Sequence, residues 1–203
     1  MRNVFVNFFD ILFPPSHDAR LVRTLIPENM QKHYSLHYIN DMVTLSHFQN
    51  PAMRALIHEA KFHGSKLAYV LLSILLDIYL NENTQKQKYD AIIPIPLSAE
   101  RMRERGYNQV YEVILQSNFA RDIGIEHKIL TRTRHTQPQT SLEKKQRQKN
   151  LIDAFSVTLP ETITGKHILL IDDVVTTGTT FRTAKAELLR YSPKTITCLA
   201  LAH

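Results

Sequence analysis

The spacing of hydrophobic residues changes near Tyr89, and the two halves of the chain predict different kinds of structure. Before this point, apolar residues recur mostly at helical intervals: Asn50 caps a predicted helix that ends near Gly64, and Ser65 caps a second helix over 66–80. After it, short apolar runs of strand type alternate with amphipathic stretches. Such alternation predicts a mainly parallel sheet covered by helices.

The strand and helix patterns can be placed individually along the chain. The best early strand is Val43–Leu45, and the strongest buried strand in the chain is His167–Ile171. The other predicted elements after Tyr89 are a strand over 91–93, a helix over 108–123 that ends at Gly124, a weak strand over 129–130, helices over 141–150 and 179–190, and a last strand over 196–202.

The first fifteen residues predict a short helix that Pro14-Pro15 stops. We interpret it as a helix docked on the core; a partner or membrane contact is the alternative, and the stretch lacks the features of a signal peptide. The longest apolar run, 67–80, contains Ser73 and Asp77 and is too short for a transmembrane helix. A single cysteine, Cys198, permits no internal disulfide and fits a cytoplasmic location.

Positive charge is concentrated in one part of the chain. The net charge is +6, and residues 128–150 alone, with seven Lys/Arg and one Glu, account for a net +6. A local basic segment of this kind favours a phosphorylated ligand or a nucleic acid.

Residues 168–180 carry the most specific chemistry. An apolar strand leads into Asp172 and Asp173, and a Thr/Gly loop over 176–180 follows at the start of a helix. Parallel strands end at the crevice where α/β folds bind ligands, and a helix N-terminus holds phosphate. Ionised carboxylates accept hydrogen bonds from ribose hydroxyls and hold Mg²⁺ through water. A solvated turn is the alternative, but the combination favours a phosphate and ribose site.

A second polar group follows the strand over 91–93. A proline-containing loop carries Leu97 and Ser98, and Arg101 and Arg105 stand four residues apart. On a helix these two arginines would project from one face and could bind a pyrophosphate. Solvated arginines are the alternative.

Residues 168–180 resemble the 5-phosphoribosyl-1-diphosphate (PRPP) motif of type I phosphoribosyltransferases. The strand over 91–93, the proline-containing loop and the sequence RERGYNQ are similar to the ComF family, competence-associated relatives of amidophosphoribosyltransferases. The similarity spans about residues 50–202, and FFDILFPP also looks like the family's opening. Its further marks are the helix over 50–61, the sequence RERGYNQ, Arg132, Gln139, Arg147, Asn150 and Ala154-Phe155. Many ComF proteins continue with a Cys-rich zinc element, but here residues 16–19 read Ser-His-Asp-Ala, so those ligands are absent.

The resemblance implies roles for individual residues. Asp172 and Asp173 would contact the ribose hydroxyls, with Mg²⁺ nearby but held through ligand and water, and Arg101 and Arg105 would complete the catalytic group. The 5′-phosphate would bind Thr176, Thr177, Gly178, Thr179 and Thr180. Leu97, Ser98, Arg132 and Arg147 would bind the rest of the ligand.

We therefore expect an α/β, type I phosphoribosyltransferase-like domain over 49–203 and a small N-terminal appendage over 1–48. The first functional hypothesis is an enzyme that binds PRPP with Mg²⁺ and transfers the phosphoribosyl group to an unidentified nitrogen acceptor, releasing pyrophosphate. The alternative is a non-catalytic protein of the same fold that binds a nucleotide, PRPP or single-stranded DNA in competence. The sequence leaves the acceptor and the oligomeric state open.

The basic segment bears on this choice. It stands where the mobile loop of type I phosphoribosyltransferases would close over the ligand and exclude water. Residues 128–150 contain no Phe, Tyr or Trp, whereas proteins that bind single strands without sequence preference usually combine positive charge with aromatic residues. This absence favours a small phosphorylated ligand over base stacking, although contacts to DNA phosphates stay possible.

Overall fold

The computed structural model describes residues 15–83, 88–133 and 154–203. In these ranges the helices are α1 (His17–Thr24), α2 (Pro51–Phe62), α3 (Lys66–Asn83), α4 (Ala99–Arg105), α5 (Gln109–Gln116), α6 (Ala120–Ile123) and α7 (Thr179–Leu189). The strands are β1 (His37–Ile39), β2 (Met42–Thr44), β3 (Ala91–Pro94), β4 (Leu130–Arg132), β5 (Phe155–Val157), β6 (His167–Val174) and β7 (Thr195–Ala202). Short 3₁₀ helices lie at Pro27–His33 and Pro160–Thr162.

Five strands form the main sheet in the order β1-β2-β7-β6-β3. β2, β7, β6 and β3 run parallel, and β1 pairs antiparallel with β2. The strands β4 and β5 form a separate antiparallel pair. The predicted α/β class with a mainly parallel sheet is therefore confirmed.

The alternation of side chains along the central strands divides the core between the two faces of the sheet. On β6, Leu169 and Ile171 pack into one cluster with α2, α3 and α5, while Ile168 and Leu170 pack into a second cluster with α7 and the β4-β5 pair. All four side chains are almost completely buried. Residues buried on both faces explain why this strand reads as a continuous apolar run.

Local sequence explains where the main helices begin. The Oδ1 atom of Asn50 accepts hydrogen bonds from the backbone N–H groups of Ala52 and Met53, and Pro51 takes the first helical position. Ser65 caps α3 through the N–H of Ala68. Both caps are those that the sequence predicts, although α3 extends to Asn83 instead of residue 80.

The prediction of one helix over 108–123 is wrong. α5 ends at Gln116, and α6 begins at Ala120. Between them, the carboxylate of Asp77 on α3 accepts hydrogen bonds from the Ser117 hydroxyl and from the N–H groups of Asn118 and Phe119. A distant side chain thus replaces helical hydrogen bonds that local periodicity favours.

The segment before residue 49 contacts the rest of the structure through the main sheet and through helix packing. Its strands β1 and β2 extend the main sheet, and α1 packs on α2 and α3. The boundary at 48/49 stays a prediction, but strands on both sides of it share one sheet.

Two other predictions fall outside the described residues: the helix over the first fifteen residues and the helix over 141–150. Among the helices that the structure describes, none is both long and apolar enough to cross a membrane.

Candidate functional site

Strand register brings the two predicted ligand-binding segments side by side. Pro94 at the end of β3 pairs with Ile171 of β6, and the N–H of Ile95 donates to the carbonyl of Ile171 at 2.8 Å. The loop after β3 and the acid pair on β6 therefore emerge at the same edge of the sheet. This is the edge where open α/β sheets bind ligands.

Asp173 is held by three elements at this edge, and its side chain is nearly buried. Its Oδ2 atom accepts a hydrogen bond from Gln109 Nε2 at 2.6 Å and lies 3.3 Å from Lys61 Nζ. Its Oδ1 atom accepts from the N–H of Val174 at 2.7 Å. Because α2, α5 and β6 all contribute, this carboxylate connects the site to the core.

Asp172 lines the cleft beside it. Its Oδ1 atom accepts from the N–H of Asp173 at 2.9 Å. Burial raises the pKa of Asp172 above its ordinary value, and the charge of Asp173 raises it further, whereas Lys61 and Arg132 act in the opposite direction. Ionisation of Asp172 beside Asp173 therefore costs free energy in the folded protein, and a pKa perturbed in this way is typical of functional sites.

The Thr/Gly loop lies at the N-terminus of α7, as the sequence predicts. Thr176 and Thr180 line the cleft. The hydroxyls of Thr177 and Thr179 are 2.9 Å apart, and Arg182 donates to the Thr179 hydroxyl. The N-terminal N–H groups of α7 and its dipole favour an anion at this place.

Gly178 gives the first test of this loop. Its φ is +71°, and an added Cβ would overlap Cε of Met42 in the neighbouring strand β2. Gly178→Ala should therefore lower the free energy of unfolding by about 2–3 kcal/mol, through left-handed strain and displacement of the flexible end of the Met42 side chain. Thermal unfolding measures this loss.

Gly165 provides a matched control, because its φ is +70° and, apart from its chain neighbours, no described residue has a heavy atom within 4 Å of an added Cβ. Gly165→Ala should lose about 1–2 kcal/mol from strain alone. Equal losses in the two variants would contradict the role assigned to the contact with Met42.

The structure separates the two arginines that the sequence places together. Arg101 and Leu97 line the cleft. Arg105 instead donates from Nη1 to Gln109 Oε1 at 3.1 Å, and its guanidinium lies 5.3 Å from the ring centre of Phe62. Arg105 lines an adjacent depression, so the predicted joint binding of pyrophosphate by both arginines does not follow from this arrangement.

The remaining predicted ligand-binding residues have different positions. Ser98 is buried, and its hydroxyl caps α4 by accepting from the N–H of Arg101, so the hydroxyl is used locally. Arg132 at the end of β4 lines the cleft, with its guanidinium 5.5 Å from the ring centre of Phe155. Arg147, like most of the basic segment, lies outside the described residues.

One cleft of about 510 Å³, a size that suits a small molecule, is lined by the acid pair, Arg101, Arg132, Thr176 and Thr180. α1, α2 and the segment before α2 also contribute to its wall. Their lining residues include Asp18, Phe48, Arg54, Ile57, His58 and Phe62.

Sequence reasoning missed Lys61 and Gln109 as site residues. Lys61 belongs to the helix over 50–61, and Gln109 belongs to the sequence RERGYNQ. A polar residue at the end of a helix with a buried face indicates a possible contact with a buried group. The partner here, Asp173, is 112 residues from Lys61 and 64 residues from Gln109. Only the packing of α2 and α5 on β6 reveals the contact.

The acid pair fits a hydrated Mg²⁺. The charge of Asp173 contributes to the raised pKa of Asp172, and a divalent cation would reduce the repulsion between the two carboxylates. Mg²⁺ prefers oxygen donors such as these. Asp172, which lines the cleft, would hold the ion through water and the ligand's oxygens, while Asp173 is already engaged by Lys61 and Gln109.

The family model described as "Phosphoribosyl transferase domain" matches residues 76–203, more than half of the chain. The DNA utilization protein YhgH of Escherichia coli O157:H7 is 34% identical over 160 residues, which cover 76% of this chain and 68% of that protein. Competence protein F of Haemophilus influenzae is 34% identical over 143 residues, covering 68% and 62%. Competence protein ComFC of Streptococcus pneumoniae is 30% identical over 157 residues, covering 76% and 64%.

Solved structures resemble the chain more distantly. Glutamine PRPP amidotransferase from B. subtilis aligns with a TM-score of 0.48 and 14% identity, covering 71% of this chain and 30% of that one. A likeness at this level adds nothing to the family match. Because the family model matches more than half of the chain and the relatives align with most of it, the chain belongs to the type I phosphoribosyltransferase family, among relatives named for competence and DNA utilization.

Proposed function

We propose that this protein binds PRPP with Mg²⁺ and transfers its phosphoribosyl group to a nitrogen acceptor, with release of pyrophosphate. The observation that carries the proposal is that one cleft joins Asp172 and Asp173, the phosphate loop at α7 and Arg101 from the loop after β3. Each of these groups matches one part of PRPP: the ribose hydroxyls, the 5′-phosphate and the pyrophosphate.

Arg101 and Arg132, two of the arginines that line the cleft, support the assignment of the pyrophosphate. Burial lowers the pKa of Arg132, and the positive charge of Arg101 lowers it further. Two guanidinium groups that repel each other across a cleft would be stabilised by an anion between them. We therefore assign Arg101 and Arg132, instead of Arg101 and Arg105, to the leaving group.

Phosphoribosyl transfer is expected to develop positive charge at the anomeric carbon as the bond to pyrophosphate breaks. The carboxylates of Asp172 and Asp173 would stabilise this charge, and Lys61 and Gln109 would keep Asp173 in position. When bound, Mg²⁺ would supply charge neutralisation to the pyrophosphate.

The acceptor would bind against the wall of the cleft that α2 and the segment before it form. Phe48, Ile57 and Phe62 make this wall apolar and aromatic, and Arg54 adds a positive charge. This combination suits a planar, partly anionic nitrogen compound.

The names of the relatives favour a second function. A DNA utilization protein and competence protein F would suggest that the same cleft or the basic segment handles single-stranded DNA. The two functions differ in how binding depends on the acid pair and on salt.

Parallel titrations separate the two functions. The affinity for PRPP with Mg²⁺ should depend on Asp172. Release of pyrophosphate on addition of nitrogen acceptors would support the enzymatic function. DNA binding that weakens steeply with salt and survives Asp172→Asn would favour the DNA-handling function. Failure of PRPP to bind at all would refute the proposed ligand site.

The raised pKa of Asp172 predicts a pH dependence of PRPP binding. Because the ligand's hydroxyls and the hydrated cation favour the ionised carboxylate, binding releases a proton wherever the free site is protonated. Affinity should therefore increase as pH rises from the ordinary aspartate range through the raised pKa. Calorimetry in buffers of different ionisation enthalpy measures the released proton.

The ligand's own phosphate also titrates near neutral pH, so controls are needed. Asp122→Asn, at an exposed acid of α6, should keep the whole pH profile. The affinity of Asp172→Asn should keep only the shallower pH dependence that comes from the phosphate of the ligand. A profile that is identical in Asp172→Asn and wild type would contradict the assignment.

A further inference from the structure

A cluster of three metal-ligating side chains lies at the end of α2, outside the acid pair. His58 and Glu59 belong to the helix, and His63 follows its last residue. One ligand atom from each residue lies within 4.8 Å of the other two. The His58 and His63 rings are 5.6 Å apart between centres, and His63 Nε2 lies 3.8 Å from Glu59 Oε1.

Two residues of the preceding segment approach the same cluster. Asp18 Oδ2 of α1 lies 3.2 Å from His58 Nδ1. Ser16, the cap of α1, donates its hydroxyl hydrogen to Glu59 Oε1 at 3.2 Å. Carboxylates beside a ligating histidine fix the orientation of the ring and raise its basicity, so Asp18 occupies the place of a supporting residue.

The buried groups of the cluster are incompletely compensated. The Glu59 side chain is 8% exposed, and within the described residues it forms no salt bridge to a lysine or arginine. Ser16 is neutral, and His63 is charged only when protonated. Nδ1 of His58 is also buried and lies 3.2 Å from Asp18 Oδ2, so a proton on Nδ1 would face Asp18 and leave Nε2 for a metal. A bound cation would compensate the carboxylate of Glu59.

We propose that His58, Glu59 and His63 form a binding site for a divalent transition metal of the Zn²⁺ type, with Asp18 as a positioning residue. Two imidazole nitrogens and one carboxylate oxygen are a donor set that Zn²⁺ accepts, with the fourth position left to water. This set differs from the oxygen-only environment that Mg²⁺ prefers at Asp172.

The required adjustment is small. Tetrahedral Zn²⁺ with bonds of about 2.0–2.1 Å places its ligand atoms about 3.3 Å apart. The side chains of His58 and His63 are 44% and 52% exposed, so both rings can rotate towards a common ion. The bound metal would tie the segment that contains Ser16 and Asp18 to the end of α2, one wall of the cleft.

Zn²⁺ titration of the full chain in excess Mg²⁺ tests this proposal without any phosphoribosyl ligand. Wild-type protein should bind one Zn²⁺ at this site, with Co²⁺ as a spectroscopic substitute whose visible absorption reports nitrogen and oxygen ligands. Asp18→Asn should lower the affinity about ten- to hundredfold, as expected for a supporting carboxylate. His58→Ala and His63→Ala should each lower it further.

A second histidine cluster in the structure supplies the control. The rings of His37, His47 and His203 lie 3.9–5.3 Å apart between centres. His47→Ala should leave Zn²⁺ affinity unchanged, and with chelator present all four variants should melt like wild type. Zn²⁺ should raise the melting temperature of wild type and His47→Ala, but not of His58→Ala or His63→Ala. Loss of affinity in His47→Ala, or full affinity in both other histidine variants, would overturn the proposal.

Discussion

Asparagine at position 172 is expected to lower the affinity for PRPP and Mg²⁺ about hundredfold while leaving the folded protein at least as stable as wild type. Two hydrogen bonds from ribose hydroxyls to a charged carboxylate contribute about 3 kcal/mol together, which corresponds to that loss. Stability should not fall with affinity, because Asp172 is partly buried next to Asp173 and a neutral amide removes the repulsion between them.

The sign of the stability change follows from the direction of the pKa shift. The pKa of Asp172 is higher in the folded state than in the unfolded chain. The folded protein therefore binds a proton that the unfolded chain has already lost, and the free energy of unfolding of the wild type decreases as pH rises from the ordinary aspartate pKa through the raised one. Asp172→Asn lacks this decrease. The difference in melting temperature between variant and wild type should therefore grow with pH.

Isothermal titration and thermal unfolding over a range of pH test both parts. Asp122→Asn, an exposed acid away from the cleft, is the matched control and should change neither quantity. A site that exists only to maintain the fold would lose stability in Asp172→Asn with unchanged PRPP affinity, and that result would refute the assigned role.

The second large effect is expected from Lys61→Met, which keeps the aliphatic stem and removes the charge. Asp173 would then remain nearly buried without its cation, although Gln109 would still donate to it. Because the Lys61 side chain is 26% exposed, the loss in free energy of unfolding should be about 2 kcal/mol, below that of a fully buried ion pair. PRPP binding should weaken as the acid pair shifts.

A double-mutant cycle identifies the cause. Adding Asp173→Asn removes the uncompensated charge, so Lys61→Met/Asp173→Asn should recover at least half of the stability lost in Lys61→Met. Denaturant unfolding measures the four free energies, and Lys66→Met, at an exposed lysine in the next helix, controls for the loss of positive charge. Additive effects of the two substitutions would contradict a direct interaction.

Much of the fold is predictable from local sequence. The apolar run at 167–171 predicts the central strand, and the caps Asn50 and Ser65 predict the starts of two helices. These features depend on residues that are neighbours along the chain. The break after Gln116 is not predictable in this way, because Asp77 causes it from 40 residues away.

The candidate site shows the same division. The acid pair and the Thr/Gly loop are close together in sequence, so the local pattern alone is enough to predict that they lie next to each other at the end of a strand. Arg105 lies outside the cleft that Arg101 lines, because helical spacing fixes the direction of two side chains but not their partners. Phe62 and Gln109 contact the guanidinium of Arg105 and hold it outside the cleft.

By itself the sequence determined the class of fold, the location of the acids and the Thr/Gly loop, and the concentration of positive charge in 128–150. Tertiary structure decided which of these groups share a cleft: Arg101 and Arg132 with Asp172, and Lys61 and Gln109 on Asp173. The physical reason is that backbone propensity and hydrophobic periodicity act over a few residues. Charge compensation and hydrogen bonding of buried groups join residues that meet only when helices pack on the sheet.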